Sequence, residues 1–261
     1  TFIGFMRALH GWLLFPWQSG YSVGYYLVSA MAIVMFGALV TGLIIYKNFW
    51  CAFTQPKLRF NQGKKTLLKD LHSLAGVWSM WFLLIMSLTG FWYLTQAIMW
   101  HNEIDIDEHP PLVSIADLPT SKTVPAISLS QALQLTKQQF TDFEPHYIMF
   151  PEHSRGMYSI SGSNNTIFYD DYAFSTTINP WTGELAQTKS PGSMNALQTI
   201  SHIADPLHYG TIGGIWTKLV WFIFGVILSG MSITGFMMWR SKLAKTTKAQ
   251  LLTTDYIQEA Q

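Results

Sequence analysis

The sequence predicts an α-helical membrane bundle with three spans in this chain and one small periplasmic α+β domain, and three observations lead there. Residues 19–46, 73–102 and 219–239 contain no Asp, Glu, Lys or Arg, and a helix needs about 20 such residues to cross a bilayer. The 261 residues are 49% apolar and only 12% charged, about half the charged share of an ordinary soluble domain. Between the second and third blocks the hydropathy pattern breaks into one amphipathic stretch and several short runs of strand formers. The formal charge of +1 excludes a broadly basic nucleic-acid binder, and the single Cys51 excludes a disulfide framework or a thiolate-rich metal site.

The span cores read YYLVSAMAIVMFGALVTGLIIY, SLAGVWSMWFLLIMSLTGFWYL and LVWFIFGVILSGMSITGFMMW, apolar on every face with small residues interspersed, as helices packed in lipid are. The flanking charge orients them. Loop 47–70 carries Lys47, Lys57, Arg59, Lys64, Lys65 and Lys69 against Asp70 alone, and the tail begins Arg240, Lys242, Lys245, Lys248; both are expected on the cytoplasmic side. Segment 96–217 holds twelve acidic and four basic residues and is expected outside, which in a bacterial inner membrane is the periplasm. The expected division is a juxtamembrane segment and first span at 1–46, a cytoplasmic basic loop at 47–70, a second span at 71–102, the periplasmic domain at 103–200, a juxtamembrane segment and third span at 201–240, and a cytoplasmic tail at 241–261. The chain opens TFIGFMRALHG without a starting Met or a charged-then-apolar signal. That opening fits either a missing upstream segment or simple removal of Met.

In the external segment, SLSQALQLTKQQF at 128–140 places Leu129, Ala132, Leu133 and Leu135 at roughly helical spacing behind Ser128 or Ser130 as cap. Strand-forming runs follow at 146–150, 156–162, 166–172 and 174–180, and Asn179-Pro180-Trp181-Thr182-Gly183 reads as a hairpin turn. No nucleophile-and-base pattern, phosphate loop or Cys/His metal spacing occurs there, so the module is expected to bind rather than to catalyse.

The three spans share a signature. Thr41-Gly42, Thr89-Gly90 and Thr234-Gly235 lie in their C-terminal halves, and Gly20, Gly37, Gly42 repeat the spacing of Gly213, Gly230, Gly235. The expected role of these small residues is close helix approach. Leu-His pairs recur at Leu9-His10, Leu71-His72 and Leu207-His208. An imidazole at the membrane is costly enough to mark function by default, and neutral imidazole is a common haem-iron ligand. Any single His also suits interfacial capping or hydrogen bonding, but repetition at three helix starts favours ligation. His10 with His208, or with His202, supplies an imidazole pair at the outer face. His72 has no such partner on its own side, so a further helix or a second subunit completes its site, or it is not a ligand. His101 is a reserve candidate for the outer site, and His109, His146 and His153 are expected in surface or turn roles. Trp12, Trp17, Trp92, Trp100, Trp216 and Trp239 form the expected interfacial belt.

The runs Asp70-Leu71-His72-Ser73-Leu74-Ala75-Gly76-Val77-Trp78 with Leu88-Thr89-Gly90, and Asp205-Pro206-Leu207-His208-Tyr209-Gly210-Thr211-Ile212-Gly213-Gly214 with Ile233-Thr234-Gly235, resemble the PepSY-associated transmembrane helix family of bacterial inner-membrane proteins. The external piece is similar to a PepSY domain through its Gln131-Ala132 helix and its Asn179-to-Leu185 turn. The resemblance implies four membrane helices with PepSY domains outside, and a haem-containing reductase of ferric siderophores. It implies His72, His208 and His10 as axial ligands of one or two b-type haems, with His202 competing at the outer site. The partners it implies are the lipid bilayer, a ferric siderophore or other ferric chelate, and a cytoplasmic or quinol electron donor, with no nucleic acid. Residues 1–46 match the helix that normally comes second, and Ser73 stands where the family often has a basic residue. A missing fourth helix or a homo-oligomer would then complete the His72 site. The competing function is a non-enzymatic membrane-anchored interaction module, a protease inhibitor or transporter accessory.

Overall fold

The computed structural model describes residues 1–18, 21–46, 49–121 and 124–259. Gly20 of the glycine repeat and Lys47 of the basic loop lie outside the described residues, as do the Lys245 and Lys248 side chains. Among the described residues three helices are long and apolar enough to cross a membrane: α2 (Val23–Ile45), α4 (Lys64–His101) and the Gly214–Ala244 part of α7 (Gly214–Glu259). They are preceded or separated by α1 (Phe2–Trp12), α3 (Phe49–Thr54), α5 (Leu129–Gln139), α6 (Ala196–Tyr209) and four strands. With 38 residues at about 1.5 Å each, α4 is about 57 Å long, nearly twice the roughly 30 Å hydrocarbon layer. Its polar start lies outside the charge-free block, and there Asp70 accepts from the Arg59 Nε, Nη2 and backbone N–H at 2.9, 2.6 and 3.1 Å.

Burial in the long helices runs opposite to that of a soluble protein. Ser29, Ser79, Ser87, Thr89 and Gln96 are buried, while Ile33, Val34, Ile44, Ile45, Phe222 and Ile233 are exposed. Water would penalise so much bare hydrocarbon, whereas lipid penalises the hydroxyls instead, and small polar groups turn toward neighbouring helices. The protein is a membrane protein with transmembrane helices.

The chain divides into two compact units, Thr1–Ala30 with Thr89–Lys218, and Met31–Leu88 with Leu219–Gln261. In the second, Ala32, Leu39, Val77 and Phe82 are buried. Trp81 and Phe82 meet Trp221 and Phe224 there, the closest ring pair being Trp81 and Phe224 at 4.8 Å, edge to face.

The first unit contains the α+β domain. Ser128 caps α5 in a reciprocal capping box with Gln131, which settles the choice between Ser128 and Ser130. The sheet is an antiparallel meander in the order β1 (Glu144–Met149), β2 (Tyr158–Ser163), β3 (Phe174–Ile178), β4 (Leu185–Lys189). Its core comprises Ala132, Phe140, Phe143, Tyr158, Ile160, Ala173, Phe174 and Ile178, and the Thr136 and Thr176 hydroxyls meet inside it at 2.6 Å. The expected turn at 179–183 joins β3 to β4, with Gly183 at φ 77° and Asn179 bonded to both Gly183 and Glu184.

One expected strand is absent and one was not foreseen. Run 166–172 forms turns, because the Asp170 carboxylate accepts from the Tyr172 backbone N–H at 2.9 Å and Phe168 adopts φ 76°. Such a side-chain-to-backbone bond competes directly with a strand ladder. Phe174–Ile178 is therefore the third strand and Leu185–Lys189 the fourth. The expected tail at 241–261 continues α7 as helix to Glu259.

Candidate functional site

In the first unit α6 lies along the end of α4, joined by a ladder of polar pairs. Gln96 Nε2 donates to Ser201 Oγ at 2.9 Å, Tyr93 OH donates to Asp205 Oδ1 at 2.7 Å, and Thr89 Oγ1 meets His208 Nδ1 at 2.9 Å. The α4 residues 89, 93 and 96 and the α6 residues 201, 205 and 208 are each spaced i, i+4, i+7, one helical face apiece. Gln96 and Thr89 are buried. A capping box of Asn195 with Gln198 starts α6, and Gly210 in the left-handed region ends it directly after the His208-Tyr209 pair.

His208 is the point where this ladder meets α1. The His10 and His208 rings have centroids 6.2 Å apart with planes inclined by 34°. The Tyr93 and Tyr209 ring centroids lie 5.0 and 5.7 Å from that of His208, both pairs edge to face. Burial, reinforced by the neighbouring His10, pushes the His208 imidazole down to about 4, so it is neutral and available as a ligand at physiological pH. Burial also raises the Asp205 carboxyl above its ordinary range, against the opposing pull of the Tyr93 hydrogen bond.

Gly24 holds α1 in place. A Cβ there would lie 1.8 Å from the Trp12 carbonyl oxygen, so only glycine lets the start of α2 approach the end of α1 this closely.

The remaining predicted residues go elsewhere. His202 is buried, and its Nδ1 is 2.7 Å from Asp170 Oδ1 while its carbonyl accepts the Asp170 N–H at 3.0 Å. It thus fastens α6 to the loop before β3. Six residues from His208 on the same helix, it points about 120° away from that ring. His72 lies in the second unit, where its Nδ1 is 2.8 Å from Thr234 Oγ1 and an added Cβ on Gly235 would touch its Cε1 at 3.4 Å. His101 packs beside Tyr21 and Tyr26 at 4.9 and 6.2 Å. His109 pairs with Asp105, His146 meets Ser163, and His153 accepts from the Arg155 N–H.

The expectation that the Thr-Gly pairs serve helix approach covers only their glycines. The threonines Thr89 and Thr234 hold imidazoles, while the glycines keep the expected role: a Cβ on Gly42 would lie 3.8 Å from Met80 and one on Gly235 3.4 Å from His72, both on α4, whereas a Cβ at Gly37 or Gly230 would meet nothing within 4 Å. Thr41 bonds back to the Gly37 and Ala38 carbonyls of its own helix at 2.8 and 3.1 Å. Sequence reading also missed Tyr93, Gln96, Ser201 and Asp205, although their i, i+4, i+7 polar spacing on two apolar helices was a usable signal.

Among the described residues no cluster of three or more His, Cys, Asp or Glu can hold a bare metal ion. A haem needs only two imidazoles. His10 and His208, imidazoles from two helices with ring centroids 6.2 Å apart, would be the residues to hold it. With Nδ1 of His208 engaged by Thr89, its Nε2 is the nitrogen left for a metal. The Trp92 indole N–H, one turn from Thr89 on α4, is buried with no partner among the described residues. The residues present therefore fit a bis-imidazole haem.

Fold and site together define a multi-span membrane protein with an α+β module inserted between its second and third spans and hydroxyl-held imidazoles on its helices. The family model of the PepSY-associated TM region matches residues 1–242, and the chain belongs to that family. No curated protein matches the chain.

Proposed function

We propose that this chain is a haem-containing electron-transfer protein of the bacterial inner membrane that reduces ferric iron or ferric siderophores at the periplasmic face. The observation that carries the reading is the His10–His208 pair, two rings from separate helices at 6.2 Å. Bound there, a b-type haem would supply a one-electron ferric/ferrous couple. His10 and His208 would hold it, Thr89 fixes the second ring, and the Tyr93–Asp205 bond fixes the helix that carries that ring. His72, held by Thr234, would serve a second haem whose other imidazole comes from a fourth helix or a second copy. The acidic α+β domain would receive the ferric chelate, whose oxygen ligands favour ferric over ferrous iron, so that reduction releases it. The electron donor would be a cytoplasmic flavin or a quinol.

Optical spectra of the detergent-solubilised full chain test this. The expected result is a Soret band with a dithionite-reducible α band, lost or halved in His10→Ala and in His208→Ala. Absence of both bands from the wild type overturns the haem reading, and unchanged haem content in both variants overturns the ligand assignment.

One observation favours a second reading, the non-enzymatic interaction module. On the α+β domain Tyr147 stacks on Tyr172 at 4.2 Å with Met149 and Phe150 exposed nearby in the chain, an apolar surface of the kind partners cover. Inhibition of a periplasmic protease by haem-free protein would support it.

A further inference from the structure

We propose that Thr89 and Thr234 are positioning residues that lock His208 and His72 in the Nδ1–H tautomer, so that Nε2 is the ligating nitrogen in both. The redox consequence rests on the haem reading; the tautomer does not.

The same contact occurs twice, in separate units of the protein. Thr89 Oγ1 lies 2.9 Å from His208 Nδ1, and Thr234 Oγ1 lies 2.8 Å from His72 Nδ1. A hydroxyl has one hydrogen and two lone pairs. Thr234 spends its hydrogen on the Met231 carbonyl of its own helix at 3.0 Å, as helical threonines commonly do. Only a lone pair remains for His72, so the imidazole donates from Nδ1 and keeps its Nε2 lone pair free. The repeat carries the same assignment to Thr89 and His208.

The pairing is crossed. His72 lies on α4 but is held by α7; His208 precedes α7 but is held by α4. These two Leu-His pairs are thus received by the Thr-Gly pair of the other helix. At the His72 site the glycine has its own part, since a Cβ on Gly235 would press on the ring at 3.4 Å. A threonine needed only for packing could be valine, which has nearly the same volume and no acceptor. An acceptor on Nδ1–H fixes the ring's rotation and makes the opposite nitrogen a stronger donor to metal.

The test uses Thr89→Val, Thr234→Val and the corresponding Ser variants of the full chain in detergent. In haem-free protein labelled with 15N-histidine, the wild type and Ser variants are expected to show His208 and His72 protonated at Nδ1, and each Val variant to lose that preference at its own histidine. With haem bound, each Val substitution is expected to weaken haem affinity about 10–100-fold. It should also raise the midpoint potential by about 59 mV for each tenfold loss of ferric over ferrous preference, with Ser restoring both. An Nε2–H tautomer in the wild type, or Val variants identical to wild type in nitrogen shifts and potential, overturns the proposal. If the wild type binds no haem, the haem reading falls while the nitrogen shifts still decide the tautomer.

Discussion

Gly24→Ala is the substitution with the most determinate consequence. The added Cβ would sit 1.8 Å from the Trp12 carbonyl oxygen and 3.1 Å from Phe15 Cβ, where real Cβ atoms keep at least 3.0 Å. The end of α1 must therefore retreat by about 1.2 Å or more, since interiors packed at crystal density have no slack to absorb the clash. His10 is two residues before Trp12 on the same short helix and moves with it. If His10 and His208 hold a haem as proposed, that shift exceeds the roughly 0.2 Å that ligand distances in a metal site tolerate. Forced overpacking of this sort costs about 1–3 kcal/mol, and drawing that cost from binding weakens haem uptake by roughly 5- to 150-fold at 1.4 kcal/mol per decade. Haem titration into the solubilised protein, followed at the Soret band, measures it. Gly37→Ala and Gly230→Ala are the controls: nothing lies within 4 Å of either new Cβ, and mid-helix alanine gains about 0.5–1 kcal/mol over glycine. If Gly24→Ala binds haem and melts like the wild type, then α1 does not carry His10 into the site.

Three further outcomes are expected. Tyr93→Phe removes the 2.7 Å bond to Asp205 and should cost about 1.5–3 kcal/mol in thermal unfolding, as a hydrogen bond to a charged group does; in an Asp205→Asn background the cost should shrink, and strict additivity would show that the two side chains do not act as a pair. The His208 imidazole is pushed from 6.5 down to about 4 in the folded protein, so the unfolded chain takes up the proton first. Stability of the haem-free protein is then full above pH 6.5, falls as pH drops toward 4 by up to about 3 kcal/mol, and is flat below. His208→Gln should remove that part of the slope, and a wild-type slope retained in the variant would rule His208 out as its source. Ile160→Ala, at a fully buried position of β2, should lower the stability of the α+β domain by about 2–5 kcal/mol, read from the thermal unfolding of the full chain; an unchanged melt would mean that this core does not govern the transition.

The legible parts of the chain were those where a local pattern has one physical solution. Charge-free runs longer than 20 residues have few alternatives to spanning, and the helical spacing behind Ser128 or Ser130 marked α5, with the structure placing the cap at Ser128. Helix ends were less visible, since Lys64 and Glu259 extend α4 and α7 with good helix formers, and charge marks where a helix leaves the lipid rather than where it stops. Run 166–172 had the composition of a strand, but Asp170 is claimed by the Tyr172 N–H and by His202, the latter 32 residues away. Such partners leave no trace in periodicity.

The same holds with greater force at the histidines. Thr89 and His208 are 119 residues apart and His72 and Thr234 are 162 apart, so each half of the contact reads, alone, as an ordinary feature of an apolar helix. A Thr-Gly pair suggests packing and a Leu-His pair suggests an interface. Their recurrence was the clue, because packing alone gives no reason for both pairs to recur together on spans that are otherwise free to vary. Once the pairs are joined across helices, the repeat becomes a rule with a donor half and a receiving half. Thr41 differs: among the described residues its hydroxyl bonds to the Gly37 and Ala38 carbonyls of its own helix, so a Thr-Gly pair without a facing Leu-His pair satisfies its hydroxyl locally.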